Sequence, residues 1–115
     1  MIDFACKRFQ LTEVIKCGLG LTKADFKLVY YMLDHADEWL TTDDLSESLE
    51  LSLSTVQRSV KKLYEKSVVL RSQENLDNGG YIFLYKIKPK PALRDLIMKI
   101  VHNWVKTVDT ELKKW

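Results

Sequence analysis

Apolar residues recur at helical spacing along most of the chain, and this pattern predicts five helices. Intervals of three and four residues between apolar side chains place them on one side of a helix. The predicted helices cover residues 9–19, 22–35, 43–49, 52–66 and 92–115. Thr22 with Asp25, and Thr41 with Asp44, have the spacing of capping boxes. Ser52 is the expected N-cap of the fourth helix.

The second and fourth helices have the clearest apolar faces. In the second, the predicted buried face consists of Phe26, Val29, Tyr30 and Leu33, widened by Leu28 and Met32. In the fourth, it consists of Val56, Val60, Leu63 and Tyr64. We therefore expect the second helix to be the centre of the domain and the fourth to pack against it along one side.

After Lys66 the spacing changes from helical to alternating. Residues 68–74 and 81–87 are rich in β-branched and aromatic side chains, and a turn cluster around Gly79 separates them. The pattern predicts a β-hairpin whose second strand turns one face to the core. That face carries Tyr81, Phe83, Tyr85 and Ile87. Trp39 and Leu40 form a shorter extended segment.

The third and fourth helices follow each other closely, because only Glu50 and Leu51 lie between residue 49 and Ser52. Two short helices joined by a tight turn are typical of a helix-turn-helix. A hairpin directly after the second of them corresponds to a wing. The predicted fold class is therefore mostly α with a β-hairpin wing (α+β), a winged helix-turn-helix with a long C-terminal dimerisation helix.

The last helix is about 36 Å long and carries a broad apolar side. An apolar face of that size on a small domain indicates contact with another molecule. We expect a homodimer packed through Leu93, Ile97, Ile100, Trp104, Val108 and Leu112. The predicted domains are residues 1–90, a DNA-binding winged helix-turn-helix that includes the N-terminal helix, and residues 91–115, the dimerisation helix.

With 115 residues, 46% of them hydrophobic and 30% charged, the chain can form about one domain with a normal core. Its formal net charge of +2 is too small to indicate nucleic-acid binding. The distribution of charge is more informative. Residues 34–50 contain seven acids and no Lys or Arg, whereas residues 52–66 contain four basic residues and one acid. The basic surplus lies on the fourth helix.

The polar side of this fourth helix suits DNA. Arg58 can bind guanine, and Gln57 adenine, through paired hydrogen bonds. Hydroxyls near the helix N-terminus, and the lysines, suit phosphates. The predicted DNA-binding residues are Ser52, Ser54, Thr55, Gln57, Arg58, Lys61, Lys62, Arg71 and Lys86. We expect a sequence-specific transcriptional regulator that binds double-stranded DNA as a homodimer, with residues 52–66 in the major groove.

Three alternatives stay open. Arg71 and Lys86 equally suit a solvated strand edge that is kept basic to prevent edge-to-edge pairing. The acidic stretch 34–50 is compatible with a winged-helix adaptor that binds proteins and not DNA. Cys6 and Cys17 suggest a thiol- or metal-responsive regulator, although their spacing fits no zinc motif and small buried residues are the simpler interpretation.

Other function classes find no support in the sequence. There is no glycine-rich phosphate loop, no catalytic constellation and no metal-ligand spacing, so we expect no enzyme activity, no catalytic residue, no metal site and no cofactor. No apolar run could span a bilayer, and the N-terminus lacks a signal-peptide core. We therefore expect a cytoplasmic protein with reduced cysteines and no membrane partner. No feature identifies an effector ligand.

The motif STVQRSVKKLYEKSVV at residues 54–69, with the preceding helices and the wing, resembles small archaeal transcriptional regulators related to TrmB. More loosely, the chain is similar to the MarR and ArsR groups of winged-helix repressors. The resemblance implies a dimeric DNA-binding regulator without enzymatic activity. Glu50 and Ser67 stand where such proteins usually have glycine. The wing tip, residues 75–80, carries Asp77 and no Lys or Arg, which argues against a wing arginine in the minor groove.

Overall fold

The computed structural model describes residues 1–115, which form two compact units. One unit is Thr22–Pro89, and the other combines Met1–Leu21 with Lys90–Trp115. The elements in chain order are β1 (Ile2–Phe4), β2 (Lys7–Phe9), α1 (Leu11–Leu19), α2 (Lys23–Asp34), α3 (Thr42–Leu49), α4 (Leu53–Glu65), β3 (Val69–Asn75), β4 (Tyr81–Ile87) and α5 (Lys90–Lys114). None of these helices combines the length and the apolar character that crossing a membrane requires.

Side-chain caps fix where three helices begin, as the sequence predicted. Thr22 Oγ1 accepts a hydrogen bond from the backbone N–H of Asp25, and the Asp25 carboxylate accepts one from the N–H of Thr22. Thr41 and Asp44 form the same reciprocal pair at the start of α3. Ser52 Oγ accepts from the N–H of Thr55 at 3.3 Å at the start of α4. These caps satisfy backbone donors that the first helical turn leaves unpaired.

The Thr22–Pro89 unit is a winged helix. Its helices α2, α3 and α4 pack together and against the antiparallel hairpin β3–β4, in which Val69 pairs with Ile87 and Asn75 with Tyr81. Leu40 forms an isolated bridge with Tyr85 through two backbone hydrogen bonds of 2.8 Å. The predicted extended segment therefore joins the free edge of β4.

The core of this unit is made by apolar side chains from every one of its helices and from the wing. The largest fully buried side chains are Leu28, Met32, Leu45, Val56, Val60, Leu63, Val68 and Val69. Burial of each such side chain contributes about 1.5–3 kcal/mol relative to exposure. The three helices and the wing are thus held by one shared apolar cluster.

Two predicted core faces differ from the structure. On α2 the buried apolar residues are Leu28, Val29 and Met32, whereas Tyr30 is 59% exposed. The prediction centred this face on the bulky side chains of Phe26 and Tyr30. The side of α2 that the rest of the unit covers is instead the one that carries Leu28 and Met32. On β4, Tyr85 and Ile87 are buried as predicted, but Tyr81 is exposed because the outer half of the hairpin has no helix over it.

Both ends of the segment that contains α4 use a left-handed backbone at a residue other than glycine. Glu50, between α3 and α4, has φ 54°, and Ser67, after α4, has φ 65°. The turn at Ser67 is closed by hydrogen bonds from Ser67 N to Tyr64 O at 3.0 Å and from Val68 N to Leu63 O at 2.9 Å. These two positions are the ones where the sequence departs from the expected glycine.

The second unit contains α1, α5 and a small hairpin that the sequence did not predict. Strands β1 and β2 have three residues each, with Ile2 paired to Phe9 and Phe4 to Lys7. Nearly all their side chains are exposed, and such short strands leave no apolar alternation in the sequence.

Helix α5 begins at Lys90, two residues before its predicted start. Pro91 therefore lies in the first helical turn, where a missing N–H removes no hydrogen bond. Helices α1 and α5 approach closely, since a Cβ atom added at Gly18 would lie 3.4 Å from Cγ2 of Ile100. The N-terminal helix thus groups with α5, whereas the predicted domain 1–90 included it with the winged helix. The division between Pro89 and Lys90 lies next to the predicted boundary.

We expect Ser67→Gly to raise the free energy of unfolding by about 0.5–1 kcal/mol, because glycine adopts a positive φ without the steric penalty of a Cβ atom. Urea unfolding followed by circular dichroism would measure the change. Ser67→Ala is the matched control, since alanine keeps the Cβ atom and should bring no gain. Equal stabilisation by both substitutions would contradict the strain at Ser67.

Candidate nucleic-acid interface

Helix α4 has one buried side and one exposed side. Its buried residues are Val56, Ser59, Val60 and Leu63. The opposite side exposes Ser54, Gln57, Arg58, Lys61 and, at its C-terminal end, Glu65. We call the first four of these residues the outward face. Tyr64, predicted to belong to the apolar stripe, is instead 40% exposed. Ser59 takes a place in the buried side that the sequence pattern assigned to apolar residues alone.

Three hydroxyl groups cluster at the N-terminus of α4. Ser52 Oγ lies 2.7 Å from Thr55 Oγ1 and 3.3 Å from Ser54 Oγ. The structure therefore brings together three predicted DNA-binding hydroxyls beside the first turn of the helix, and two of them, those of Ser52 and Thr55, were predicted to contact phosphates. Unpaired backbone N–H groups in that turn favour an anion.

The cations of the outward face have no acidic partner. Neither Arg58 nor Lys61 takes part in any of the four salt bridges in the chain. Gln57 lies beside them and also faces solvent. A guanidinium, an ammonium and a carboxamide are thus available together on one exposed helix face.

Lys62 lies differently from the other predicted DNA-binding residues. Its Nζ donates a hydrogen bond of 2.8 Å to Oδ2 of Asp25, a residue of α2 that is only 3% exposed. The Lys62 side chain itself is 32% exposed. This contact turns Lys62 towards the protein interior and away from the outward face.

The Asp25 carboxylate is the centre of a buried polar cluster. Its Oδ1 accepts from Ser59 Oγ at 2.6 Å, and its Oδ2 accepts from Lys62 Nζ and from the backbone N–H of Thr22. Burial by itself raises the pKa of Asp25, but the hydrogen bonds from Lys62, Ser59 and Thr22 outweigh it and lower the pKa. The carboxylate is therefore ionised and fully paired at neutral pH.

The sequence signal for this cluster is one polar residue in an apolar stripe. Ser59 lies three residues after Val56 and four before Leu63, a position at which a side chain faces the core. Buried polar groups in proteins are nearly always hydrogen-bonded. A buried serine on α4 therefore indicates a polar partner on a facing helix, although it does not identify Asp25.

Arg71 and Lys86, at the base of the wing, lie against aromatic rings. The Arg71 guanidinium is 4.2 Å from the ring centroid of Tyr64 and 4.4 Å from that of Phe83. Lys86 Nζ is 5.7 Å from the centroid of Trp39. Arg71 thus links α4 to β4, and such cation–π contacts are worth about 0.5–1 kcal/mol at exposed sites.

The predicted dimer residues all lie on α5, in the other unit, and none is buried. Trp104 is 62% exposed, Leu112 57% and Val108 37%. Leu93, Ile97 and Ile100 are half-buried, with Ile100 close to Gly18 of the same chain. The part of the predicted interface that is most open to solvent is therefore the second half of α5.

Cys6 and Cys17 are both free and exposed. This corrects the interpretation of the two cysteines as small buried residues. No group of three or more His, Cys, Asp or Glu residues is placed to hold a metal ion.

Known proteins share both the sequence and the fold. Residues 9–108 match the family model of the DnaD N-terminal domain. A possible transcriptional regulator from Methanosarcina mazei Go1 is 55% identical, with a TM-score of 0.93, and the match covers 100% of this chain and 96% of that one. An uncharacterized protein of Methanocaldococcus jannaschii is 27% identical over 115 residues, which are 100% of this chain and 83% of that protein.

More distant solved structures share the fold alone. The S. aureus MepR–DNA complex has a TM-score of 0.58 at 16% identity, covering 89% of this chain and 79% of that one. A MarR family protein from Bacillus stearothermophilus has a TM-score of 0.51 at 17% identity, covering 84% and 66%. The predicted winged-helix fold is confirmed. The M. mazei neighbour is named a possible transcriptional regulator and not an enzyme, in agreement with the expected lack of enzyme activity.

We expect the free energy of unfolding to fall as the pH is lowered below about 4, because the pKa of Asp25 is lowered in the folded protein. A carboxyl group with a lowered pKa in the folded state stabilises the fold above its unfolded pKa of about 3.9, and this contribution is lost as the pH falls through the folded value. Asp25→Asn should lower stability at pH 7 by about 1–3 kcal/mol and flatten the acid dependence.

Urea unfolding at several pH values would measure both effects. Asp44→Asn is the matched control, because Asp44 occupies the same capping position of α3 but is exposed. The free energy of unfolding of Asp44→Asn should change with pH in nearly the same way as that of the wild type. Parallel curves for Asp25→Asn and the wild type would contradict the role given to the Asp25 carboxylate.

Proposed function

Because the chain belongs to the family of the DnaD N-terminal domain, and is 55% identical to a possible transcriptional regulator over its whole length, we propose that it is a DNA-binding transcriptional regulator. It acts as a homodimer and binds a specific sequence through α4. Each of these finer points rests on the geometry of the outward face and of α5.

The outward face of α4 is the observation that carries the proposal. Arg58 and Lys61 are exposed cations without acidic partners, beside Gln57 and the hydroxyl groups at the helix N-terminus. An α-helix of this width fits the major groove, where Arg and Gln can each form paired hydrogen bonds with a base. The hydroxyls and Lys61 then contact phosphates on either side. Lys62 is left out of this interface because Asp25 binds it.

A second copy of the chain explains the exposed side of α5. Trp104, Val108 and Leu112 follow each other at intervals of four residues, so they form one apolar stripe on the helix surface. Packing two such stripes together removes them from water and places two α4 helices in one particle. Half-sites on the DNA should then lie about one helical turn, roughly 34 Å, or more apart.

The named relatives agree with this function. The M. mazei relative is a possible transcriptional regulator, and the S. aureus neighbour with this fold has been solved in complex with DNA. A narrower relationship to TrmB-type regulators stays a prediction, as do the cytoplasmic location and any thiol response through Cys6 and Cys17.

The wing favours one alternative function. Its tip carries Asp77 and no basic residue, so it has no cation to place in the minor groove. The acidic residues of 34–50 suit a basic protein partner. In that case the chain is a winged-helix adaptor. A mixture of DNA fragments at low salt separates the two functions, because the adaptor should shift none of them.

Selection of bound sequences from a random DNA pool would test the proposal and define the site. With the selected site in hand, Arg58→Ala should weaken specific binding by about 1–3 kcal/mol and relax the preference at one base pair. Lys61→Ala is the comparison variant and should weaken binding to all sequences alike. The logarithm of the wild-type affinity should fall with the logarithm of the salt concentration with a slope of about −5, for roughly three phosphates per subunit. A slope near zero, or no loss with Arg58→Ala, would speak against this interface.

We expect Trp104→Glu to convert the dimer into a monomer, because it places a charge in the middle of the apolar stripe. Analytical ultracentrifugation would measure the mass, and a parallel titration should show weaker binding to the selected DNA site. Lys106→Glu introduces the same side chain on the other side of α5 and should leave the dimer intact. A wild-type protein that is monomeric at micromolar concentration would refute this mode of pairing.

A further inference from the structure

The buried cluster around Asp25 joins two helices that are far apart in the sequence. Asp25 lies on α2, whereas its two side-chain donors, Ser59 and Lys62, lie one turn apart on α4. All four oxygen contacts of the cluster are short, with donor–acceptor distances between 2.6 and 3.1 Å. No buried side-chain nitrogen or oxygen in the chain lacks a partner. The cluster is therefore complete as it stands.

The position of the carboxylate is held by α2 itself, without help from α4. Thr22 and Asp25 hold each other in the capping box at the start of α2, so the carboxylate has a fixed direction. Ser59 and Lys62 meet it only when α4 presents that one side. Both hydrogen bonds therefore depend on the rotation of α4 about its own axis.

Apolar packing fixes this rotation only coarsely. The buried stripe of Val56, Val60 and Leu63 excludes a large turn of α4, but contacts between aliphatic groups have no directional preference and tolerate a small one. A turn too small to expose these residues would still draw Ser59 and Lys62 away from Asp25 and leave a buried charge unpaired. An uncompensated buried carboxylate is strongly unfavourable, whereas a shifted aliphatic contact is tolerated.

The rotation of α4 decides which side chains face outwards. At about 100° per residue, Gln57 and Lys61 each lie about 160° from Ser59 around the helix, and Arg58 lies about 100° from it. Fixing Ser59 against Asp25 therefore fixes the outward face. We infer that Asp25 is a positioning residue for DNA recognition, which acts through Ser59 and Lys62 to hold the base-reading side chains of α4 in one orientation. The inference rests on the proposed function and gives Lys62 a role different from a phosphate contact.

The test compares Asp25→Asn and Lys62→Met with the matched control Lys61→Met, which removes a neighbouring cation that has no partner. Each protein is titrated with its selected DNA site and with an unrelated duplex, at several salt concentrations and well below its melting temperature. Circular dichroism and sedimentation confirm that the variants are folded and have the wild-type mass. The readouts are the ratio of specific to non-specific affinity and the slope of affinity against salt.

Asp25→Asn and Lys62→Met should lower the affinity for the selected site by about tenfold or more. Binding to the unrelated duplex and the salt slope should stay as in the wild type, because no phosphate contact is lost. Lys61→Met should do the reverse, with weaker binding to both duplexes, a shallower slope and an unchanged ratio. A purely structural role for Asp25 would lower the melting temperature and leave the ratio as it is.

Two results would overturn the inference. One is an unchanged ratio of specific to non-specific affinity in folded Asp25→Asn and Lys62→Met. The other is a Lys62→Met protein that behaves like Lys61→Met, with weaker binding to both duplexes and a shallower salt slope. If Asp25→Asn does not fold, Lys62→Met decides alone, because Lys62 is partly exposed and its loss leaves the capping box of α2 in place. Absence of DNA binding by the wild type would be a failure of the proposed function, and it is visible without any variant.

Discussion

The contact between the Asp25 carboxylate and α4 is the one on which the functional geometry of the molecule depends. Apolar burial supplies most of the free energy that holds α2, α3, α4 and the wing together, at about 1.5–3 kcal/mol for each large side chain. These contacts fix the rotation of α4 only coarsely. The hydrogen bonds from Ser59 and Lys62 to Asp25 contribute less free energy, but they are directional and define the orientation of α4 more narrowly. Apolar packing thus supplies most of the stabilisation between the helices, and the hydrogen bonds to Asp25 refine the orientation of α4.

The conformation of the residues that flank α4 also depends on their surroundings. Glu50 and Ser67 adopt the left-handed conformation that glycine would adopt more easily, at a steric cost on the order of 1 kcal/mol each. The caps and the packed core on either side impose that conformation. The length of α4, from Leu53 to Glu65, therefore depends on its neighbours as well as on its own sequence.

The two compact units differ in how much of their apolar surface they bury. The Thr22–Pro89 unit buries a continuous apolar core, whereas in the other unit Leu19 is the one fully buried apolar residue. Helix α5 has 25 residues and none of them is buried. The first half of α5 lies close to α1, whereas its second half leaves Trp104 and Leu112 in water. Under the proposed function, a second copy of the chain covers this part of the helix.

Local chemistry allowed much of this fold to be derived from the sequence alone. The capping residues Thr22, Thr41 and Ser52, the helical spacing of α4 and the alternation of the wing depend on neighbours within a few positions, so they can be read from the order of residues. The outward face with Arg58 and Lys61 follows from the same periodicity. By contrast, distant elements that meet in space decide the exposure of Tyr30 and Tyr81 and the grouping of α1 with α5. They also decide that Lys62 contacts Asp25 and does not join the outward face as predicted. Asp25 and Lys62, for example, are 37 residues apart in the sequence. Only the tertiary structure decides such pairings, because a side chain's partner is chosen by three-dimensional proximity, which helical and strand periodicity do not encode.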